Sequence, residues 1–114
     1  MSYDVWLVID AGEVDEDGKP KLSDLGGLDW NYTSNCSQMW CEAGADLQAF
    51  DGKLVSECLP LLQQALVVLG REPERFRAMD PPNGWGSYDS LVPKLRVLAE
   101  AFARYPKAIV RVSW

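Results

Sequence analysis

The sequence predicts a single α+β domain, spanning residues 1–114, in which a small antiparallel sheet packs against three to four helices. Three observations support this. β-Branched and aromatic residues alternate with other residues near both chain ends, at Tyr3–Ile9 and Ala108–Trp114. Apolar residues recur every three or four positions over Asp51–Leu69 and again toward Tyr105. A chain of 114 residues that is 47% hydrophobic can bury one core without disulfides or metals.

The first predicted strand carries Tyr3, Val5, Leu7 and Ile9 on one face. Residues 11–28 are rich in Gly, Asp, Glu and Lys and show no period, which indicates a long loop or a hairpin with its tip near Asp17-Gly18. We expect the two terminal strands to pair with each other. Because two strands are marginally stable alone, we also expect a third strand from residues 12–30 or 46–50.

A short helix is predicted to reach about Ala43, with Ser34 or Asn35 as its N-cap and with Met39 and Trp40 facing inward. Residues 46–50 are too few for periodicity to decide, and we interpret them as a short strand or an extended connector.

The clearest helix is predicted over residues 51–69, with Gly70 as its C-terminal cap. Its apolar stripe comprises Leu54, Cys58, Leu61, Leu62, Ala65 and Leu69. A second short helix is predicted over Pro73–Met79. After a turn at residues 80–86, Ser87 or Ser90 caps a last helix to about Tyr105. Its stripe comprises Leu91, Leu95, Leu98, Ala99 and Phe102.

Composition excludes several functional classes. The net charge of −6 disfavours binding to nucleic acid or to an anionic membrane. No apolar run approaches the roughly 20 residues that cross a bilayer, and no signal peptide is visible, so we expect a cytoplasmic protein. The absence of histidine excludes histidine-based triads and histidine metal sites. Three cysteines, Cys36, Cys41 and Cys58, do not suggest a disulfide framework or a metal site, and no cofactor is expected.

Two stretches carry the candidate binding residues. The first, residues 30–35, has six consecutive side chains with hydrogen-bonding groups, which fits either a capped turn or the polar lip of a pocket. The second, residues 80–86, places Trp85 between two glycines, which fits either a contact surface or an indole folded back onto the core. We predict that the two stretches meet as one surface. The candidate residues are Asn31, Tyr32, Thr33, Asn35, Trp40, Asn83, Trp85 and Tyr88.

At Asn31–Asn35 and Asn83–Tyr88 the chain resembles uncharacterised small acidic proteins of actinobacterial viruses (phages) and their hosts. The opening Tyr3-Asp4-Val5 segment and Trp40 are part of this resemblance. It covers most of the chain and implies no activity. It does imply a viral accessory factor that works in the host cytoplasm.

Three functional hypotheses follow. The leading one is a non-enzymatic interaction or ligand-binding protein that takes a host protein or a small polar ligand. The alternative is a small hydrolase or transferase with Asp10 or Asp80 as its base, which requires that carboxylate to lie in a pocket beside Asn31 or Asn83. The second alternative is a self-assembling structural protein, which requires an exposed strand edge or a large apolar patch.

Overall fold

The computed structural model describes residues 2–26 and 28–114. It confirms the α+β fold and the pairing of the terminal strands, and its described residues form five helices rather than three or four. The strands are β1 (Ser2–Val14), β2 (Pro20–Asp24), β3 (Trp30–Thr33) and β4 (Ile109–Ser113). The helices are α1 (Ser37–Ala43), α2 (Leu47–Phe50), α3 (Val55–Arg71), α4 (Pro73–Arg77) and α5 (Tyr88–Arg104), and a 3₁₀ turn at Ser34–Cys36 precedes α1.

Strand β1 is the centre of a four-stranded antiparallel sheet. At Asp4 it pairs with Asn31 of β3 and with Ser113 of β4. At Val8 it pairs with β2 and again with β4. Because a strand has only two edges, β2 and β3 follow one another along the edge of β1 that faces away from β4. The third strand expected from residues 12–30 is present as β2, and β3, which begins at Trp30, is a further strand that was not predicted.

Beyond Val8, β1 and β2 form a projecting hairpin, which we call the arm (residues 9–24). At its turn the Asp15 N–H donates to the Lys19 carbonyl oxygen at 2.8 Å, which confirms the hairpin tip near Asp17-Gly18. Both strands of the arm are exposed along their length, and the molecule measures 50 × 26 × 21 Å. The strand was predicted to end at Ile9 because a segment without a buried face leaves no alternating pattern in the sequence.

The helices cover one face of the sheet, and the core lies between the sheet and the helices. Val5 and Leu7 of β1 and Val110 of β4 are among the buried sheet side chains. The helical side of the core includes Met39, Trp40, Phe50, Cys58, Leu62, Ala65, Leu69, Phe76, Leu91, Leu95, Leu98 and Phe102. The inward orientation of Met39 and Trp40 and the core position of Cys58 are thus confirmed. In residues 2–26 and 28–114, no helix has the length and apolar character needed to span a bilayer.

The prediction for residues 46–54 was wrong. Residues 47–50 form helix α2, because the Asp46 carboxylate accepts the Gln48 N–H at 3.2 Å and caps it. Helix α3 begins at Val55 rather than at residue 51, because residues 52–54 run beside β4. The Gly52 N–H donates to the Val110 carbonyl oxygen, and the Val110 N–H donates to that of Lys53, both at 2.8 Å.

Several boundary predictions also change. Gly70 lies inside α3 and Glu72 is its C-cap, so Gly70 is not a cap. Leu54 and Leu61, which were assigned to the apolar stripe, are exposed. Thr33, rather than Ser34 or Asn35, caps the 3₁₀ turn, through a bond from the Asn35 N–H. Ser87 is confirmed as the N-cap of α5, because its hydroxyl accepts the Ser90 N–H at 3.2 Å.

Candidate functional site

Strand β3 separates its side chains onto the two faces of the sheet. Trp30 points to the helices, where it is 1% exposed and its indole N–H donates to the Lys94 carbonyl oxygen at 2.7 Å. Asn31 points to the opposite face, which none of the helices in the described part of the chain covers. There its amide nitrogen donates to the Asp4 carboxylate at 2.9 Å and to the Ser2 hydroxyl at 3.2 Å. The polar residues of the 30–35 stretch are thus held on a strand that Trp30 anchors in the core.

Tyr32 connects β3 to the start of α5. Its hydroxyl accepts the Ser87 N–H at 3.2 Å and also contacts the Ser87 carbonyl oxygen and the Ser90 hydroxyl. Burial raises the pKa of the Tyr32 hydroxyl above its ordinary value. Tyr32 therefore fixes the position at which the residue 80–87 loop returns to the fold.

Gly86 brings that loop into direct contact with β3. It has a φ of +92°, and a Cβ atom there would lie 2.6 Å from Thr33 Cγ2 and 2.8 Å from Cys36 Sγ. A Cβ atom at this separation would force Thr33 or Cys36 to shift, so glycine allows the loop to pack against the end of β3 without strain.

Two hydrogen bonds fix the backbone of the loop around Trp85. The Asp80 carboxylate accepts the Tyr88 N–H at 2.7 Å, and the Asn83 side-chain oxygen accepts the Trp85 N–H at 3.0 Å. The indole is 67% exposed. Tryptophan is usually mostly buried, so this exposure marks a contact surface rather than a core position.

The two motifs meet in an open cleft of about 580 Å³. Its lining side chains are Ser2, Asn31, Thr33, Asn35, Asn83 and Trp85. This volume lies within the range of roughly 300–1,000 Å³ that small-molecule sites occupy. The structure thus brings together five of the eight predicted residues and adds Ser2. The sequence could not reveal Ser2, because only the strand register places it opposite Thr33.

Three predicted residues do not line the cleft. Trp40 is fully buried and packs edge-on against Tyr3 with 5.0 Å between ring centroids, so its assignment to the surface was wrong. Tyr88 is 7% exposed and its hydroxyl donates to the Leu69 carbonyl oxygen at 2.8 Å, so it too is a core residue. Tyr32 is half-buried and supports the loop from below.

The carboxylates proposed as catalytic bases lie elsewhere. Asp10 is exposed on the arm and accepts the Gly12 N–H at 2.9 Å. Asp80 is exposed and is occupied by the Tyr88 N–H. Neither lines the cleft with Asn31 and Asn83, so the hydrolase or transferase hypothesis loses the two bases on which it depended.

A second hollow, of about 490 Å³, lies on the same outer face of the sheet. Asp4, Trp6, Leu28 and Asp29 are among its lining residues, and the bond between Asp4 and Asn31 separates it from the cleft. Within the described residues, no three His, Cys, Asp or Glu side chains are grouped so that they could hold a metal ion.

The cysteines offer no reactive centre at the cleft. Cys36 is buried beneath Gly86, and burial raises the pKa of its thiol. Burial also raises the pKa of the Cys58 thiol, to about 11. A raised pKa keeps a thiol protonated at neutral pH, and the thiolate is the nucleophile.

Comparison with known proteins adds no relative. The chain matches no described protein family, no curated protein and no solved structure.

Proposed function

We propose that this chain is a non-enzymatic binding protein and that the cleft between β3 and residues 83–85 holds its ligand. The observation that carries the proposal is the exposure of the Trp85 indole beside three asparagine side chains. An exposed indole offers a large contact area with one hydrogen-bond donor, and amides fix the orientation of whatever lies on it.

Binding is favoured over catalysis by the chemistry of the lining. The described lining residues are amides, hydroxyls and one indole, none of which titrates near neutral pH. General acid–base catalysis needs a group whose pKa lies near the working pH, and the chain has no histidine. The cleft therefore has the parts of a recognition site without those of a catalytic one.

The resemblance of both motifs to small actinobacterial viral proteins supports a host component as the ligand. We accordingly place the protein in the host cytoplasm as an accessory factor. This assignment depends on the resemblance alone, whereas the binding role depends on the cleft.

The binding role can be tested by affinity capture from an actinobacterial lysate. Wild type, Trp85→Ala and Trp114→Ala are immobilised in parallel, and retained proteins and small molecules are identified by mass spectrometry. Trp114 is the matched control, because it is a 55% exposed indole that stacks on Tyr3 away from the cleft. We expect a component that wild type and Trp114→Ala retain and Trp85→Ala loses. Equal retention by all three proteins would contradict the proposal.

Self-assembly is the second candidate, because the arm leaves strand edges open to solvent. Its six carboxylates and two lysines give residues 9–24 a net charge of −4, and like-charged arms repel each other. Light scattering distinguishes the two candidates, since self-assembly requires a mass that grows with concentration and the binding proposal is compatible with a monomer.

A further inference from the structure

We infer that the ligand of the cleft is a neutral carbohydrate, with one sugar ring lying flat against the Trp85 indole. This inference rests on the proposed binding function and names the chemical class that the site would take. It is carried by the pattern of hydrogen-bonding groups around the indole, by the absence of charged side chains among the described lining residues, and by the packing of residues 86–87 against the end of β3.

The amides around Trp85 present a mixed set of donors and acceptors. The Asn31 and Asn35 amide nitrogens are occupied, by Asp4 and Ser2 in one case and by Thr33 in the other. Within the described residues this leaves both side-chain carbonyl oxygens as free acceptors. At Asn83 the arrangement is reversed, because its carbonyl oxygen accepts the Trp85 N–H and its amide nitrogen remains free to donate. Each sugar hydroxyl both donates and accepts, so one ring can satisfy both kinds of group.

The Trp85 indole supplies the apolar half of the site. It is the one aromatic side chain among the described residues that line the cleft. The face of an aromatic ring carries partial negative charge, and the C–H bonds on one face of a pyranose carry partial positive charge. A ligand that is polar at its rim and apolar on one face matches this combination, whereas a wholly apolar ligand would leave the remaining donor and acceptors of the three amides unpaired.

Anionic ligands do not fit the cleft. No charged side chain is among its described lining residues, so an anion such as a phosphorylated nucleotide would lie there without a counter-charge. The net charge of −6 repels anions further. The Asp4 carboxylate contacts the lining residue Asn31, whose amide nitrogen donates to its Oδ1 atom at 2.9 Å.

An extended peptide is also disfavoured. Peptides commonly add to a sheet by pairing with an open strand edge. At the end of β3, Gly86 lies directly against Thr33 and Cys36, and the Ser87 N–H donates to the Tyr32 hydroxyl. The loop therefore restricts the approach of a peptide to the Thr33 end of β3.

The test is an NMR titration of uniformly ¹⁵N-labelled protein with maltotriose, cellotriose, triacetylchitotriose and mannotriose at millimolar concentration. The Trp85 indole signal is assigned as the one missing from Trp85→Ala. We expect at least one trisaccharide to shift this signal and the side-chain amide signals of Asn31, Asn35 and Asn83 in a saturable way. A sulfated trisaccharide and a neutral eight-residue peptide serve as probes of the excluded ligand classes.

Matched variants connect the shifts to the contacts. Trp85→Ala should weaken binding by about tenfold through the loss of stacking. Asn35→Ala should weaken it several-fold through the loss of one hydrogen bond. Trp114→Ala should bind as wild type does. Unchanged indole dispersion elsewhere in the spectrum verifies that each variant is folded.

The outcomes separate this inference from the proposed function. If no trisaccharide shifts the Trp85 signal, or if Trp114→Ala weakens binding as much as Trp85→Ala, the carbohydrate inference is overturned. If the peptide or the sulfated sugar binds with the Trp85 dependence instead, the ligand class is wrong but the cleft remains a binding site. If lysate capture also shows no dependence on Trp85, both proposals fail.

Discussion

Replacing Gly86 by alanine should destabilise the protein and disturb the cleft together. The position has a φ of +92°, a conformation that costs an L-residue about 1–2 kcal/mol relative to glycine. The added Cβ would also lie 2.6 Å from Thr33 Cγ2 and 2.8 Å from Cys36 Sγ. Overpacking of this kind costs about 1–3 kcal/mol. We therefore expect Gly86→Ala to lower the free energy of unfolding by about 2–5 kcal/mol.

Gly84→Ala is the matched control. Gly84 also has a positive φ, +76°, but an added Cβ there would meet no atom within 4 Å. It should therefore lose only the backbone contribution, about 1–2 kcal/mol. Urea unfolding of both variants measures the difference, which isolates the steric conflict between the loop and β3.

A second substitution tests the source of the conflict. Thr33→Ser removes the Cγ2 atom that the new Cβ would strike and keeps the hydroxyl that caps the 3₁₀ turn. We expect Thr33→Ser to be about 1 kcal/mol more favourable for the free energy of unfolding in the Gly86→Ala background than in wild type. A double-mutant cycle measures this difference. The reasoning is refuted if Gly86→Ala is as stable as Gly84→Ala and leaves the Trp85 indole resonance unmoved.

Three further predictions follow from single groups. Gly70→Ala should raise the free energy of unfolding by about 0.5–1 kcal/mol in thermal or urea unfolding, because Gly70 lies inside α3 with open space around its Cα; a loss of stability would contradict this. The Val112 N–H and, to a smaller extent, Arg111 hold the pKa of Asp51 below its ordinary 3.8. The stability that this carboxylate contributes is therefore present above pH 3.8 and is lost as pH falls through the folded pKa, so the gap in unfolding free energy between wild type and Asp51→Asn should close in acid. A constant gap from pH 7 to pH 2 would refute this. A thiol reagent at pH 8 should modify exposed Cys41 in the native protein and reach buried Cys36 and Cys58 only after unfolding; equal rates at all three would be inconsistent with the structure.

The sequence predicted well the elements that have one buried face. A clear apolar period marks three elements: the strand at Tyr3–Ile9, the helix over Tyr88–Arg104 and the terminal strand. The period arises because the buried positions of a strand alternate and those of a helix recur every three or four residues. The sequence predicted the arm as either a loop or a hairpin and did not predict α2, for two different reasons. The arm has no buried face, and α2 has only four residues, too few for a pattern.

For the candidate site, the sequence correctly assigned residues of strands and turns to the cleft. It wrongly assigned residues that lie in the helices following them. Asn31, Asn83 and Trp85 were recognised from local composition, and they do lie in one cleft. Trp40 and Tyr88 were grouped with them by proximity along the chain. Helical geometry turns both of these side chains into the core, where each packs among helices that the motif itself does not contain.

By itself the sequence determined the α+β class, the two terminal strands, the principal helices and the exclusion of histidine chemistry, because these depend on local periodicity and on composition. Only the tertiary structure decided that β3 pairs with β1, that Ser2 lies opposite Thr33, and that Gly86 closes against Cys36 to hold Trp85 over the cleft. Those relations join residues tens of positions apart. They are fixed by the register of the strands and the packing of α5 beneath them, which no local pattern encodes.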